Sequence, residues 1–150
     1  MNMNIEENLL RAWMGMSMNI RGNRLLTSLS FNEIVICSFL YRSMQEGKDM
    51  LTATDLCNYT KLLKSQLNKV LNMMESKGLI ERIRSDKDKR KIFLKLREEN
   101  VSVYLEEHEK VMGIIHHIYN SMGEEKVKTL TSLLWEAVEV VDNYKPVIEQ

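Results

Sequence analysis

The stretch from residue 74 to residue 96 constrains the fold more than any other part of the chain. Gly78 ends a helical pattern, and glycine suits the left-handed conformation in which helices commonly stop. Residues 79–84 and 91–96 then alternate apolar and charged side chains, mostly at the period of two typical of strands. The residues between them include Asp86, Lys87, Asp88, Lys89 and Arg90. The pattern predicts a helix followed by a β-hairpin with a cationic tip.

The first part of the chain has helical patterns. Apolar side chains recur every three or four residues from Ile5 to about Asn23, as they do on one face of a helix. Ser30-Phe31-Asn32-Glu33 has the form of a capping box. It predicts a second helix through about Gln45, which Gly47 ends.

Two further helices are expected before the hairpin. Thr52-Ala53-Thr54-Asp55 is typical of a helix start, and Leu51 is expected to form a short strand that pairs with the hairpin. A turn near Asn58 to Thr60 then leads into a longer helix that ends at Lys77. Two helices joined by a tight turn and followed by a hairpin predict a mainly α winged helix-turn-helix with a small β-hairpin wing.

Two long amphipathic helices are expected after the hairpin. The first runs from about Glu98 to Tyr119, and the second runs to about Tyr144, where Pro146 stops it. Ser121-Met122-Gly123-Glu124 is expected to cap the second helix. A helix of this length spans about 33 Å and needs another surface on which to bury its apolar stripe. The most economical arrangement is a homodimer built from the N-terminal helix and these two C-terminal helices.

Charge is distributed unevenly along the chain. The 21 basic and 21 acidic side chains cancel overall, but residues 61–97 hold twelve Lys or Arg and only four Asp or Glu. A local basic face is sufficient for phosphate affinity, so a net charge of zero does not exclude nucleic acid. The 150 residues are expected to form a single winged-helix chain that binds double-stranded DNA. About residues 30–97 are the expected DNA-binding region, and about 1–29 and 98–150 are the expected dimerisation helices.

Several other protein classes are disfavoured. The apolar runs are shorter than the roughly 18 to 20 residues of a membrane span, and no signal-peptide pattern is present, so a cytoplasmic protein is expected. The chain has no G-x-S-x-G, P-loop, H-E-x-x-H or glycine-rich nucleotide motif, so we expect neither an enzyme nor a cofactor. Cys37 and Cys57 lack paired spacing and are interpreted as thiols of the core.

The order of these elements resembles the MarR (multiple antibiotic resistance regulator) family of bacterial transcription factors. The most specific part is Gly78-Leu79-Ile80-Glu81-Arg82 followed by Asp88-Lys89-Arg90, which is similar to the family's strand start and D-x-R wing tip. The resemblance covers nearly the whole chain, from about Ile5 to Tyr144. Residues 96–100 depart from it, because they read Leu-Arg-Glu-Glu-Asn where the family tends to have L-T-x-x-G.

The resemblance implies an obligate homodimer bound to a palindromic operator, with one recognition helix in the major groove of each half-site. It implies a repressor whose DNA binding is weakened by a small aromatic or lipophilic effector. A second departure concerns the recognition helix, which opens with Leu62 and Leu63 where a polar residue is expected.

The recognition helix and the wing supply the candidate DNA contacts. In the family's register, residues 64–69 are the first exposed turns of the helix, and Gln66 and Asn68 are expected closest to the bases, because their amides can bond adenine edges. Arg90 is expected to reach the minor groove, where narrow A·T segments attract guanidinium, with Asp88 buttressing it. The full predicted set is Lys64, Ser65, Gln66, Asn68, Lys69, Arg84, Lys87, Asp88, Lys89, Arg90 and Lys91.

The effector site is defined less well than the DNA-binding surface. Trp13, Met16, Phe39 and Tyr41 are candidates to border the cleft between the dimer helices and the DNA-binding region, where family members commonly bind ligands. No pair of cationic and aromatic side chains specifies a ligand at the level of the sequence.

Two alternatives to this function stay open. Glu107 and His108 resemble ligands of zinc-sensing family members, although Met112 stands where a second histidine on the same face is needed. Alternatively, Leu62 and Leu63 would suit a winged-helix module that binds protein, and such binding would depend on salt far less than DNA binding does. Sensing through Cys37 is disfavoured, because peroxide-sensing members carry their reactive cysteine in the N-terminal helix.

Overall fold

A computed structural model of the chain describes residues 4–22, 25–48 and 51–146. Helices dominate it, and three short strands form one small sheet, so the expected winged helix-turn-helix class is confirmed. In chain order the elements are α1 (Ile5–Gly22), α2 (Phe31–Gln45), β1 (Leu51–Thr52), α3 (Ala53–Thr60), α4 (Lys64–Ser76), β2 (Ile80–Arg84), β3 (Ile92–Leu96), a 3₁₀ turn (Glu98–Asn100), α5 (Val101–Met122) and α6 (Glu124–Asp142). Within the described ranges, no helix combines the length and the apolar character needed to cross a bilayer.

The chain divides into two compact units. The first comprises residues 1–110 and contains the helix-turn-helix and the sheet, and the second comprises residues 111–150. The boundary falls within α5. The DNA-binding region expected over about residues 30–97 therefore lies inside the first unit.

The predicted helix starts of α2 and α3 are confirmed. The Ser30 Oγ accepts a hydrogen bond from the Glu33 backbone N–H, and the Glu33 carboxylate accepts one from the Ser30 backbone N–H at 2.7 Å. Thr52 and Asp55 repeat this reciprocal arrangement at the start of α3. Both boxes satisfy backbone donors that a helix leaves unpaired at its first turn.

The turn of the helix-turn-helix lies later than the sequence indicated. We expected it near residues 58–60, but α3 continues through Thr60, whose hydroxyl donates to the Leu56 carbonyl oxygen at 2.7 Å. Lys61 then adopts a left-handed backbone conformation (φ 58°) and ends the helix. Because a turn residue with φ above zero is usually glycine or asparagine, a lysine there gives no sequence signal.

The boundaries of the C-terminal helices also differ from expectation. A 3₁₀ turn covers Glu98–Asn100, so α5 begins at Val101. The predicted cap at 121–124 is wrong in detail, because α5 continues through Met122, and Gly123 opens α6 without a side-chain cap. Helix α6 ends at Asp142, two residues before the predicted end at about Tyr144 and ahead of Pro146.

The sheet is antiparallel, with strand order β1-β3-β2. Leu51 pairs with Leu94, which confirms the predicted short strand, and the hairpin pairs Ile80 with Leu96 and Arg84 with Ile92. The fully buried side chains beneath the sheet and the helix-turn-helix include Ile36, Leu56, Leu67, Leu71, Met74 and Ile80. This core fixes the hairpin and α4 in one compact unit.

Two buried carboxylates anchor the connection between α1 and α2. Glu107 on α5 accepts hydrogen bonds from the backbone N–H groups of Thr27 and Ser28 and an ion pair from Lys110. Glu33 on α2 accepts Lys77 Nζ at 2.8 and 2.9 Å, and Lys77 is the C-cap residue of α4. Buried carboxylates are stable only when paired in this way.

Candidate nucleic-acid interface

Helix α4 is amphipathic, and its polar face is accessible. Leu67, Leu71 and Met74 are buried at a spacing of three to four residues and fix the rotation of the helix about its own axis. The predicted base-reading and phosphate-binding residues of this helix are all exposed: Lys64, Ser65, Gln66, Asn68 and Lys69. The helix therefore presents amide, hydroxyl and ammonium groups to solvent along its first two turns.

Gln66 also has a role within the helix. Its Oε1 accepts a hydrogen bond from the Leu63 backbone N–H at 3.1 Å, as the N3 residue of a capping box does. The amide oxygen is thus engaged, and the amide nitrogen is left as a donor. A bidentate contact with adenine needs both groups, so Gln66 cannot make that contact in this conformation.

The wing loop between β2 and β3 is ordered by its own hydrogen bonds. The Ser85 N–H donates to the Lys91 carbonyl oxygen at 3.0 Å, and the Lys91 N–H donates to the Asp88 carbonyl oxygen at 2.8 Å. Asp88 Oδ1 accepts the Arg90 backbone N–H at 3.1 Å. Asp88 therefore supports the loop by bonding the backbone of Arg90 and does not pair with its guanidinium.

The cations of the wing are exposed. Lys87, Lys89, Arg90 and Lys91 all belong to the loop, and Arg84 is the last residue of β2. The loop's own hydrogen bonds fix its backbone, so its four cationic side chains are held close together and face solvent. Such a cluster can approach a polyanion. These residues are brought together as the sequence predicted.

Arg82 ties the wing to the recognition helix. Its guanidinium, half-buried on β2, donates to the Glu75 carboxylate and to Asn72 Oδ1 (2.8 Å), both on α4. A planar guanidinium that bridges two acceptors holds orientation as well as distance. Its two partners carry no local sequence signal, because they lie seven and ten residues earlier in the chain.

A groove lies between α2 and α5 in the first unit. It has a volume of about 330 Å³, and its lining includes Tyr41, Arg42, Tyr104 and His108. The rings of Tyr41 and Tyr104 are 5.5 Å apart, and the Tyr104 hydroxyl lies 3.4 Å from His108 Nδ1. Burial raises the pKa of Tyr104, so this phenol is neutral at physiological pH. The sequence analysis missed Arg42, because its aromatic neighbour on α5 is distant along the chain.

The four predicted effector residues are not brought together in this groove. Tyr41 lines it. Phe39 instead stacks on Tyr59 of α3, with the ring centroids 4.0 Å apart and the planes at 7°. Trp13 and Met16 lie exposed on α1. Phe39 is thus part of the packing between α2 and α3.

The groups considered for metal or redox sensing have structural partners. Both oxygens of Glu107 accept hydrogen bonds, and no group of three or more potential metal ligands occurs among the described residues. Burial, with a further contribution from Glu33, raises the pKa of Cys37 to about 12. A protonated, buried thiol is a poor nucleophile, which disfavours Cys37 as a redox sensor.

Comparison with known proteins agrees with this geometry. A sequence model of the MarR family matches residues 39–91, which include the helix-turn-helix and most of the wing. The HTH-type transcriptional regulator FarR of Neisseria gonorrhoeae is 33% identical over 88 residues, or 59% of this chain and 60% of FarR. The matched segment therefore spans less than two thirds of that relative. Regulators of transcription as a class act by binding rather than by catalysis.

Solved structures resemble the chain over most of its length. NadR in complex with 4-hydroxyphenylacetate is 28% identical and covers 91% of this chain and 93% of its own, with a TM-score of 0.65. A mutant form of MarR from E. coli is 19% identical, covers 91% of this chain and 99% of its own, and has a TM-score of 0.70, which shows the shared fold. The recognition helix, the wing and the match of residues 39–91 to the MarR family model agree, and the chain is similar to transcriptional regulators of the MarR family.

Proposed function

We propose that the chain is a repressor that binds a palindromic DNA operator as a homodimer and is released by a small aromatic acid. The observation that carries the proposal is the pairing of an exposed polar face on α4 with a cationic wing in the same unit, joined through Arg82. The major groove of B-DNA is about 12 Å wide and admits one α-helix. The wing then lies over the adjacent backbone and minor groove.

Base reading is assigned to the start of α4. Asn68 is the residue we expect to bond adenine, because its amide has both a donor and an acceptor, whereas the Gln66 oxygen is engaged in capping. Lys64 and Lys69 suit guanine edges or phosphates, and Ser65 suits either kind of contact. These contacts set the sequence preference, and phosphate contacts set the affinity and its salt dependence.

The wing supplies the sequence-independent part of the affinity. Arg90 enters the minor groove, and Lys87, Lys89 and Lys91 lie near phosphates. Asp88 stays with the loop backbone, because a carboxylate beside a phosphate is repelled. Each phosphate that a cation neutralises contributes about 0.9 to the slope of log affinity against log salt.

A second copy of the chain is the proposed occupant of the exposed apolar stripes. In the first unit, α1 exposes Ile5, Leu9 and Trp13 at intervals of four residues. In the second unit, α6 exposes Leu134, Val138 and Val141 at helical spacing. Contiguous apolar surface of this kind is unusual on a monomer and typical of an interface. A homodimer buries both stripes and matches a palindromic operator.

The groove between α2 and α5 suits an aromatic carboxylate. Arg42 offers a guanidinium fork for the carboxylate, and the half-buried Tyr41 ring offers an apolar face to an aromatic ring, with the buried Tyr104 ring packed behind it. The Tyr104 hydroxyl and His108 are positioned for a phenolic hydroxyl. The complex of NadR, 28% identical to this chain, with 4-hydroxyphenylacetate supports this class of ligand.

Fluorescence anisotropy tests the DNA-binding proposal. The purified chain is titrated against a duplex selected from a random-sequence library and against a scrambled duplex, at about 50 and 200 mM salt. We expect tight binding to the selected duplex only, with affinity falling by orders of magnitude as salt rises. Arg90→Ala is expected to weaken binding, and Lys89→Ala is expected to lower the salt slope by about 0.9, or twice that if both subunits contribute. Equal, salt-insensitive binding to both duplexes would contradict the proposal and favour a protein-binding module.

Matched variants separate the effects of charge, base recognition and dimerisation on DNA binding. Lys48 is exposed and lies outside both α4 and the wing, so Lys48→Ala controls for the loss of one positive charge. Asn68→Ala should alter the base preference and leave the salt slope unchanged. Light scattering of each variant checks that the dimer persists. A monomer at the concentrations used for binding would contradict the assembly proposed here.

Calorimetric titration with 4-hydroxyphenylacetate as the probe tests the ligand site. We expect Arg42→Gln to weaken its binding at least tenfold, because a charge-assisted contact contributes about 1.5–3 kcal/mol. The matched control is Arg11→Gln on α1, which changes the same charge outside the groove lining. Equal binding to the wild type and Arg42→Gln would refute the assignment of the carboxylate to Arg42.

A further inference from the structure

The N-terminus of the recognition helix presents an exposed leucine. Leu63 occupies the N-cap position of α4 in an extended conformation (φ −65°, ψ 148°) and makes no side-chain cap bond. Its side chain is 68% exposed. By contrast, Leu62 beside it is half-buried, so the two leucines noted in the sequence have different environments.

Leucine is a poor choice for this position by the rules of helix capping. Ser, Thr, Asp and Asn are preferred there, because their side chains accept a hydrogen bond from the first turn. Helices α2 and α3 of the same unit follow that rule through Ser30 and Thr52. At α4 the Gln66 side chain bonds the Leu63 backbone N–H, while the first turn gains nothing from the residue at the N-cap itself. Neither capping nor burial explains the isobutyl group.

The surroundings of Leu63 limit what it can contact. The residues that follow it, Lys64, Ser65 and Gln66, are polar and exposed. The next strongly exposed apolar side chain on α4 is Met73, ten residues later and about 15 Å along the helix. An interface with a protein core needs a contiguous apolar patch, and a single exposed leucine at the start of an otherwise polar face of α4 does not provide it.

Duplex DNA offers an apolar group of matching size. The C5 methyl of thymine lies in the major groove, and apolar side chains contact it directly. Residues at the N-terminus of a recognition helix are those that reach base edges. We infer that Leu63 contacts a thymine methyl group in each half-site and so selects A·T at that position. The inference rests on the DNA-binding function proposed above.

Replacing thymine by deoxyuridine tests the inference, because it removes one methyl group and leaves base pairing intact. Each thymine of the selected duplex is replaced in turn, and the affinity of the wild-type chain is measured by anisotropy. We expect one position in a half-site at which the affinity falls about fourfold, the value for burying one methyl-sized group. The other thymines should have smaller effects.

Three variants complete the experiment. Leu63→Ser should lose the deoxyuridine effect at that position and keep a folded, equally stable α4, because serine caps helices well. Leu63→Met should retain the effect, and Met73→Ala, the matched control on the same helix, should leave it unchanged. Circular dichroism checks that each variant is folded.

The outcomes separate this inference from the proposed function. If the wild type binds the selected duplex specifically but no deoxyuridine substitution reduces its affinity, the inference is overturned and the DNA-binding function stands. The same conclusion follows if Leu63→Ser keeps the full deoxyuridine effect. If the wild type does not distinguish the selected duplex from the scrambled one, the proposed function itself fails.

Discussion

The isosteric substitution Glu107→Gln is expected to destabilise the first unit more than the same kind of substitution at any other residue of α5. The carboxylate is 1% exposed and accepts bonds from the Thr27 N–H (3.0 Å), the Thr27 hydroxyl (3.0 Å), the Ser28 N–H (3.3 Å) and Lys110 Nζ (2.6 Å). All four groups are donors. In Glu107→Gln, the side-chain NH2 group is itself a donor and replaces one of the two acceptor oxygens. At least one of the four donors that Glu107 accepts therefore loses its partner.

The magnitude follows from the exposure of the partners. Breaking a fully buried ion pair by removing one charge costs about 3–5 kcal/mol. The Lys110 side chain is partly exposed, so its ammonium regains water, and glutamine retains one acceptor oxygen. We therefore expect the free energy of unfolding to fall by about 2–4 kcal/mol at pH 7, in the range of lost hydrogen bonds to a buried charged group.

The pH dependence has a definite sign. Burial raises the pKa of Glu107, but the hydrogen bonds from Lys110, Thr27 and Ser28 outweigh burial and hold it below the ordinary value of 4.5. A depressed pKa contributes stability that is present above 4.5 and is lost as the pH falls through the folded-state value. The difference between wild type and Glu107→Gln should therefore shrink in acid.

Urea unfolding followed by circular dichroism, at one protein concentration because a dimer's stability depends on it, measures both effects. Glu106→Gln is the matched control, since Glu106 is the exposed neighbour on the same helix. Equal free energies of unfolding for the two variants at pH 7 would refute the anchoring role. A zinc-dependent rise in the wild type's stability that Glu107→Gln removes would revive the metal-ligand alternative.

Three further predictions concern other contacts. Arg82→Gln should destabilise the chain by about 1 kcal/mol, because its ion pair is partly exposed, and should speed amide hydrogen exchange in β2, whereas Arg84→Gln should do neither. Lys77→Met should cost about 1.5–3 kcal/mol by leaving buried Glu33 unpaired, and a double-mutant cycle with Glu33→Gln should show strong coupling. A thiol reagent at pH 8 should label Cys57 and spare Cys37 in the native chain, because Cys37 is buried and burial raises its pKa to about 12; mass spectrometry that finds Cys37 labelled first would contradict its burial.

The sequence predicted the fold well where local chemistry dictates backbone geometry. Each correct prediction used a motif of only a few consecutive residues. The structure has the predicted capping boxes at Ser30 and Thr52 and a left-handed glycine at Gly78 (φ 71°). The alternation around the hairpin likewise predicted the positions of β2 and β3. The turn was misplaced because lysine at residue 61 is an unusual residue for a left-handed conformation, and the cap was misplaced because Gly123 separates α5 from α6 without any side-chain cap bond.

Contacts between distant elements could not be predicted in this way. Arg42 and Tyr104 share a groove, and Glu107 bonds Thr27, because tertiary packing brings α2 and α5 together. Arg42 and Glu107 do not belong to any local sequence motif, and Arg42 is indistinguishable in sequence from a solvated surface cation. The sequence identified the candidate DNA-binding cations because they are clustered within one short loop, and it missed Arg42 in the groove because that cation is single.

The backbone of Ser28 physically connects the groove and the recognition helix, because the peptide groups on either side of its Cα bond to different elements. Its N–H donates to Glu107, which lies on α5 between Tyr104 and His108 of the groove lining. Its carbonyl oxygen accepts Lys77 Nζ at 3.3 Å, and Lys77 ends α4. A displacement of α5 must either move the Ser28 backbone with it or break the hydrogen bond from the Ser28 N–H to Glu107. Breaking a hydrogen bond to a charged group costs about 1.5–3 kcal/mol. Allosteric coupling energies are typically about 1–3 kcal/mol, or roughly 5- to 150-fold in affinity. The bonds of the Ser28 backbone are therefore of the size that would be needed to couple the proposed effector site to the recognition helix.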